Sequence, residues 1–192
     1  MPNLYILAGC NGSGKTTASY SVLPELLNCS QFVNSDEFAK GLSPSDPSAA
    51  SISASRYMLS KVHYLLLRGE DFSIETTLAT RSLMGIIRQA KKQEYRVSVI
   101  YFWLNSPELA IWRVKNRVDA GGHNIPEDVI RRRYRMGIQY LFETYIPLSD
   151  RWVIADNSKS PFVVVAEGDG DNVIIRDEDK YRIIRNISSE PL

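Results

Sequence analysis

Short apolar runs alternate with segments of helical periodicity along most of the chain. The apolar runs that predict strands are Leu4–Ala8, Gln31–Asn34, Asp71–Thr77, Arg96–Leu104 and Arg151–Ala155. The segments that predict helices are Thr17–Leu27, Ala49–Leu67, Ser82–Gln93, Ser106–Ala120 and Pro126–Tyr145. Strands that alternate with helices favour a parallel sheet covered by helices on both faces. We therefore predict a three-layer α/β/α fold with a mainly parallel five-stranded sheet.

The last part of the chain carries a different pattern. Two apolar runs, Phe162–Ala166 and Val173–Ile175, flank Gly168-Asp169-Gly170-Asp171-Asn172, which is typical of a β-hairpin. The segment Tyr181–Ile187 fits one more short strand or a helical turn. We predict a main domain over residues 1–160 and a C-terminal hairpin, residues 161–192, that extends the same domain as an appendage.

Length and composition limit the classes of protein that fit. The chain has 192 residues, of which 44% are hydrophobic and 23% charged, and this suits one soluble α/β domain. Its net charge of +1 gives no electrostatic case for binding nucleic acid or an anionic membrane. The two cysteines, Cys10 and Cys29, lack metal-ligand spacing and suggest no disulfide framework. Since no apolar run approaches the roughly 20 residues of a membrane span, and the first strand begins almost at once, we expect a cytoplasmic protein.

The strongest motif follows the first strand. The stretch Gly9-Cys10-Asn11-Gly12-Ser13-Gly14-Lys15-Thr16 fits G-x-x-x-x-G-K-[ST], the phosphate-binding P-loop pattern, at every fixed position. Glycines let the backbone curl its N–H groups around phosphate oxygens, and the N-terminus of the next helix adds a partial positive charge. Lys15 would reach the β- and γ-phosphates, and the Thr16 hydroxyl would hold Mg²⁺. The residues predicted to bind a nucleoside triphosphate are Gly9, Asn11, Gly12, Ser13, Gly14, Lys15, Thr16 and Thr17.

Polar residues follow three of the other predicted strands. Asp36, Glu75 and Asn157 each come at the carboxyl end of a strand. Ligands of parallel α/β sheets bind beyond these ends, so we expect the three side chains beside the P-loop. Asn157 should then contact the nucleotide. Asp36 and Glu75 should contact a second substrate, called the acceptor below because it would receive a phosphate group. The other residues expected on the acceptor are Thr76, Thr77, Arg81, His123 and Arg132.

The two carboxylates each have a structural alternative. Asp36 is the candidate general base, because a carboxylate there can accept the proton of an acceptor hydroxyl that lies in line with the γ-phosphate. It could instead cap a helix that begins at Glu37, or do both. Glu75 leaves a buried strand, where an unpaired carboxylate is costly, so it should meet acceptor hydroxyls, Mg²⁺-bound water or an arginine. The alternative is a structural salt bridge with Arg56 or Arg81.

A basic segment over about residues 113–135 has the composition of a mobile lid. Two arginine-rich helical stretches flank the break Gly121-Gly122-His123-Asn124-Ile125. Arg113 and Arg117 lie four residues apart on one helix face and could neutralise the phosphate in transfer. His123 could donate to phosphate or only cap the following helix. Three more arginines follow, of which at least one should simply face solvent: Arg131, Arg133 and Arg135.

Two further features favour phosphoryl transfer to a small molecule. The chain lacks the Asn-Lys-x-Asp sequence that reads guanine, which weakens a GTPase interpretation. The strand Arg96–Leu104 runs into Asn105, where many ATPases carry a Walker B aspartate. Together with a candidate base and a lid, these features predict a kinase.

From about Leu4 to Asn157 the chain resembles the zeta toxin family of P-loop kinases. The matching stretches are the P-loop, Asn34-Ser35-Asp36-Glu37-Phe38, Ile74-Glu75-Thr76-Thr77 and the helix of Arg113. The resemblance implies ATP-dependent phosphorylation of a sugar hydroxyl of UDP-N-acetylglucosamine, and control by a small antitoxin protein. It places the catalytic base on Asp36, the substrate-binding glutamate on Glu75 and a phosphate-contacting arginine on Arg113.

The chain departs from this family at one lid position. The second lid arginine of the family falls near His123, so its role passes to the histidine or moves to Arg117 or Arg132. With the resemblance, residues 1–160 become a P-loop kinase domain that uses ATP and Mg²⁺.

Several functions remain compatible with the sequence. A kinase of another small metabolite or nucleotide would need no toxin role and no antitoxin. A regulatory module could bind the nucleoside triphosphate without transferring phosphate. A nucleic-acid kinase is a weaker candidate, because only the local arginine cluster would serve a polynucleotide backbone.

Overall fold

The centre of the protein is a mixed β-sheet. The computed structural model describes residues 1–21, 29–43, 51–122 and 124–190. Within these ranges the strands are β1 (Asn3–Ala8), β2 (Gln31–Val33), β3 (Phe72–Thr76), β4 (Arg96–Trp103), β5 (Arg151–Asp156), β6 (Val163–Asp169) and β7 (Asn172–Ile175). Their order across the sheet is β2-β3-β1-β4-β5-β6-β7. The five predicted parallel strands are present, and β6 and β7 continue the sheet in antiparallel pairing.

Helices alternate with the parallel strands, so the predicted α/β fold is confirmed. They are α1 (Lys15–Ser21), α2 (Ser35–Leu42), α3 (Ser51–Arg68), α4 (Met84–Lys92), α5 (Pro107–Asp119), α6 (Glu127–Tyr140), α7 (Ile146–Leu148) and α8 (Glu178–Ser189). A π-helical turn, Leu141–Tyr145, joins α6 to α7. The predicted first helix extends to Leu27, but its part beyond Ser21 lies outside the described residues. None of the helices in the described ranges is long and apolar enough to cross a membrane.

The two central strands, β1 and β4, are apolar on both faces, as expected for parallel strands covered by helices. Ile6 of β1 lies between Ile74 of β3 and Val99 of β4, and all three are fully buried. The same register places Ala8, the last residue of β1, beside Thr76 and Tyr101. The loops that follow β1, β3 and β4 therefore leave the sheet at nearly the same level.

The C-terminal hairpin is built into the sheet. Strand β6 pairs along β5, with Ile154 opposite Ala166, so the hairpin enlarges the predicted five-stranded sheet to the seven strands described above. The segment predicted as a short strand or helical turn lies inside α8, a helix of 12 residues. Ile184 of this helix is buried, and the guanidinium of Arg185 lies 4.6 Å from the ring centroid of Phe142. Helix α8 is thereby fixed against the rest of the domain.

Helix α6 lies directly against the segment that follows β3. A Cβ on Gly137 would lie 2.7 Å from the carbonyl O of Thr77 and 3.1 Å from Oη of Tyr101, so only glycine permits this approach. One turn earlier, Oη of the buried Tyr134 donates to the carbonyl O of Leu104 at 2.8 Å. These contacts fix the face of α6 that is turned towards the carboxyl ends of the strands.

Candidate active site

The P-loop joins β1 to α1 in a conformation that requires glycine. The φ angles of Gly9, Gly12 and Gly14 are +142°, +80° and +88°, values that side chains disfavour. A Cβ on Gly12 would lie 2.6 Å from the carbonyl O of Ala110 in α5, and one on Gly14 would collide with Nδ2 of Asn157. The P-loop backbone is therefore packed closely between α5 and the segment that follows β5.

The carboxylate of Glu75 lies against the start of α1. Oγ1 of Thr16 donates to Oε2 and Oε1 of Glu75, at 2.9 and 3.1 Å. Nδ2 of Asn34 donates to Oε2 at 3.1 Å, and Nζ of Lys15 lies 4.0 Å from Oε1. The lysine also donates to the carbonyl O of Cys10 at 2.9 Å. Because the Glu75 side chain is only 10% exposed, these charges interact with little screening by water.

Thr16 and Glu75 fit a site for Mg²⁺. Oxygen atoms are the ligands that Mg²⁺ prefers, and the ion usually keeps several waters and binds through one or two carboxylates plus substrate phosphates. The described ranges contain no group of three or more His, Cys, Asp or Glu side chains that could hold a metal by themselves. The Thr16 hydroxyl and the Glu75 carboxylate have the oxygen chemistry that such a site needs.

The backbone of α2 gives the position of Asp36. The helix begins at Ser35, so Asp36 lies in its first turn. The N–H of Phe38 donates to the carbonyl O of Asn34 at 3.2 Å, which makes Asn34 the cap residue. The alternative in which Asp36 caps a helix that begins at Glu37 is therefore wrong. The side chains of Asp36 and Glu37 are outside the described part of the structure, and the role of Asp36 as base stays a prediction.

The segment that follows β5 contacts the P-loop through Asn157, and Arg113 connects the two. Nδ2 of Asn157 donates to the carbonyl O of Ser13 at 2.7 Å. Arg113 of α5 bridges the same two segments, since Nη2 donates to the carbonyl O of Ser158 at 3.0 Å and Nη1 to that of Gly12 at 3.5 Å. Both predicted ligand-contacting residues, Asn157 and Arg113, thus bind the backbone that would surround the phosphates.

Arg133 is an arginine of α6 that reaches the P-loop. Its Nη1 donates to Oδ1 of Asn11 at 3.0 Å, and its side chain is half-buried. Arg131, two residues earlier, forms an exposed ion pair with Glu108, and Arg135 is exposed as well. This agrees with the expectation that part of the cluster faces solvent.

The remaining predicted arginines lie further out. Arg117 of α5 and Arg132 of α6 are exposed side chains. Arg81 forms an ion pair with Glu143 at 3.2 Å and lies 4.9 Å from the ring centroid of Tyr140, so it is not the salt-bridge partner of Glu75. His123, the other predicted lid residue, falls outside the described residues.

Thr76 and Thr77 shape the segment after β3. Oγ1 of Thr76 accepts a hydrogen bond from the N–H of Leu78 at 3.0 Å and keeps its own proton for another acceptor. Thr77 is half-buried, and its carbonyl O faces Gly137 of α6. Their contact with an acceptor substrate remains a prediction.

Sequence reasoning missed two features of the site. It placed Glu75 beside the P-loop but left its partner open among acceptor hydroxyls, Mg²⁺-bound water and an arginine, and it did not name Thr16. The contact of Glu75 with Thr16 follows from β3 lying directly beside β1, and strand order cannot be read from local patterns. Asn105, where many ATPases carry a Walker B aspartate, donates from its N–H to Oγ of Ser158 at 2.8 Å. Sequence reasoning also left Arg133 undistinguished among its neighbours, although this residue lies four positions before Gly137, on the face of α6 that packs on the sheet.

Comparison with known proteins assigns the family. Residues 4–136, more than half of the chain, match the AAA_33 family, which is described as an AAA domain. The chain belongs to this family. A relative in Haemophilus influenzae, an uncharacterised protein, is 32% identical over 126 residues, which are 66% of this chain and 88% of that protein.

Solved structures share the fold over most or all of the chain. A chain in the crystal structure of AvrRxo1-ORF1:-ORF2 with ATP matches with a TM-score of 0.75 and 16% identity, covering 100% of this chain and 66% of that one. The AAA_33 chain thus spans slightly less than two thirds of that neighbour. A chain of the PezAT chromosomal toxin–antitoxin system of Streptococcus pneumoniae matches with a TM-score of 0.70 and 18% identity, covering 97% and 86%. A gluconokinase from Sinorhizobium meliloti matches with a TM-score of 0.52 and 14% identity, covering 82% and 83%. At these identities the comparisons show the fold, which is that of P-loop kinases.

Proposed function

We propose that this protein is an ATP-dependent kinase that transfers the γ-phosphate to a hydroxyl of a small metabolite. The observation that carries the proposal is the position of Glu75. Its carboxylate accepts hydrogen bonds from Thr16 of the P-loop and from Asn34, two residues before Asp36. One carboxylate therefore contacts both the P-loop and the residue that caps the helix of Asp36.

The residues around Glu75 divide the work of phosphoryl transfer. Lys15 and the P-loop N–H groups bind the phosphates, while Thr16 and Glu75 would hold Mg²⁺, which would supply neutralisation of phosphate charge. Asp36 accepts the proton of the acceptor hydroxyl. Arg133, which already contacts Asn11, neutralises charge that develops on the transferred group.

We propose a UDP-activated sugar such as UDP-N-acetylglucosamine as the acceptor. The resemblance of the P-loop, Asp36 and Glu75 motifs to the zeta toxin family supports this choice, and so does the fold shared with a chain of the PezAT toxin–antitoxin system. Two of the structural neighbours come from systems with a second protein, PezAT and AvrRxo1-ORF1:-ORF2. A small antitoxin is therefore the partner that we propose for this chain.

The test is a transfer assay with Mg²⁺ and labelled ATP. Purified protein is incubated with a panel of UDP-sugars and, separately, with a metabolite extract, and mass spectrometry identifies the species that gains one phosphate. Asp36→Asn should abolish transfer and retain ATP binding, whereas Lys15→Ala should lose both. Asp119→Asn, which changes an exposed aspartate at the end of α5, is the matched control and should behave as wild type.

The outcomes separate the alternatives. Phosphate on a metabolite other than a UDP-sugar retains the kinase and rejects the proposed acceptor. Tight ATP binding without transfer to any species, unchanged by Asp36→Asn, identifies a regulatory nucleotide-binding module. Transfer to the 5′ end of an oligonucleotide, with an affinity that falls steeply as salt rises, identifies a polynucleotide kinase.

A further inference from the structure

We infer that Lys180, in the C-terminal helix α8, is a positioning residue of the nucleotide site. The inference rests on the nucleotide binding assumed in the proposed function and is independent of the acceptor. Lys180 lies far beyond the residues that match the AAA_33 family and in a part of the chain whose sequence pattern shows no chemistry. A chain of contacts through Asp156 connects it to the P-loop.

The first contact is an ion pair at the end of β5. Nζ of Lys180 lies 3.0 Å from Oδ2 of Asp156, whose side chain is 11% exposed. The other carboxylate oxygen, Oδ1, accepts hydrogen bonds from the N–H of Ser158 at 2.9 Å and from its Oγ at 2.5 Å. Burial opposes ionisation of Asp156, but the bonds from Ser158 and Lys180 outweigh it and lower its pKa. The carboxylate is therefore charged at neutral pH and closes the segment 156–158 into a tight turn.

The turn is connected to two carbonyl groups of the P-loop, to one directly and to the other through Arg113. Asn157, at its centre, donates from Nδ2 to the carbonyl O of Ser13. The N–H of Asn157 donates to the carbonyl O of Trp103 at 2.9 Å, which ties the turn to the end of β4 as well. Ser158, at its end, accepts from Arg113, and the same guanidinium reaches the carbonyl O of Gly12. These contacts engage carbonyl groups of the P-loop, so they can fix the loop without occupying an N–H group that would bind phosphate.

Helix α8 presents Lys180 at a defined position. The carboxylate of Asp177 caps the helix, accepting from the N–H of Lys180 at 3.0 Å, and its Oδ2 lies 3.3 Å from Nζ. Lys180 thus lies between two carboxylates, one of its own helix and one of the turn. Loss of its charge leaves the part-buried Asp156 without its cation, so the turn loosens and the P-loop loses the support of Asn157.

The test measures the dissociation constant of ADP by calorimetry, for the full chain and its variants. Lys180→Met and Asn157→Ala should each weaken binding about threefold to tenfold, the range of one part-exposed ion pair or one hydrogen bond. The double variant should be little weaker than either single one, because both act through the same turn. Lys180→Arg should keep wild-type affinity, and so should the control Arg182→Met, which removes an exposed cation of the same helix.

A split between substrates separates positioning from general support of the fold. In the kinase assay, Lys180→Met should raise KM for ATP and leave KM for the acceptor unchanged. The inference is overturned if Lys180→Met binds ADP with wild-type affinity. It is also overturned if, in the double variant, the loss of ADP affinity is the full sum of the losses in Lys180→Met and Asn157→Ala. Wild-type protein that binds no nucleotide would overturn the proposed function as well, so the two failures are distinguishable.

Discussion

Nη1 of Arg133 lies 3.0 Å from Oδ1 of Asn11, although 122 positions separate the two residues in the sequence. The contact joins α6 of the lid segment to a variable position of the P-loop. The contact distinguishes Arg133 from its neighbours, whereas the sequence suggests His123, Arg117 or Arg132 for the second lid residue, and that suggestion stays a prediction. A guanidinium at this point can neutralise charge on a transferring phosphoryl group.

Arg133→Ala should therefore lower kcat by about 10²-fold, the usual effect of removing one donor to the transition state. Arg131→Ala, which removes an exposed arginine of the same helix that pairs with Glu108, is the matched control and should change kcat by less than about threefold. Steady-state kinetics with saturating ATP makes the comparison. A larger loss in Arg131→Ala than in Arg133→Ala would show that the lid closes on a different face of α6.

Glu75→Gln should separate metal binding from nucleotide binding. The variant keeps the shape of the side chain and removes the charge beside Thr16, so we expect kcat to fall about 10²- to 10³-fold. Activity should recover in part at high Mg²⁺, and ADP binding without Mg²⁺ should be unchanged or tighter, because one negative charge near the phosphates is gone. Glu143→Gln, an exposed acid that pairs with Arg81, controls for loss of charge. If kcat of Glu75→Gln depends on the Mg²⁺ concentration as kcat of wild type does, Glu75 has no role in metal binding.

Gly137→Ala should destabilise the protein and displace α6. The added methyl group would lie 2.7 Å from the carbonyl O of Thr77. Because that oxygen belongs to the backbone, it cannot rotate away as a side chain could. We expect a loss of about 1–3 kcal/mol in the free energy of unfolding, measured with urea. Gly85→Ala in α4 is the control, because nothing lies within 4 Å of its added Cβ, and it should gain about 0.5–1 kcal/mol. Equal effects of the two changes would contradict the close packing of α6.

The ionisation of Cys10 should make stability fall at high pH. Burial raises the pKa of this thiol from 9.0 to about 11. Between these values the unfolded chain releases the proton while the native protein keeps it, so the free energy of unfolding decreases as pH rises and is unaffected below pH 9. The full effect is about 2 kcal/mol near pH 11.

Cys10→Ala should remove this part of the pH dependence. Urea unfolding of wild type and variant is measured at a series of pH values from 8 to 10.5. In the difference between their free energies of unfolding, the titration of lysines and tyrosines cancels. Parallel curves would show that the thiol is more accessible to water than the structure indicates.

The sequence predicts the fold of this protein better than it predicts the site. Apolar runs and glycine positions depend on local physics, so β1, the P-loop and the alternation of strands and helices follow from the chain directly. The contact of Glu75 with Thr16 depends on β3 lying beside β1, which is a property of the whole sheet. Arg133 likewise differs from Arg132 only through the packing of α6.

The C-terminal part shows the same limit. Its hairpin was predictable from two apolar runs around a glycine-rich turn, since such turns have a local signature. The antiparallel pairing of β6 with β5 and the ion pair of Lys180 with Asp156 are contacts between distant segments. No residue pattern within the last 30 positions indicates them.

The pairing of β6 with β5 also determines how the protein can be shortened. A fragment cut to the family boundaries would stop at residue 136, inside α6, and would lack β5 altogether. A fragment cut after β5 would leave a row of main-chain donors and acceptors open along that strand, ready to associate with other molecules. Expression of an isolated, well-behaved folded domain therefore requires the sequence through the end of α8.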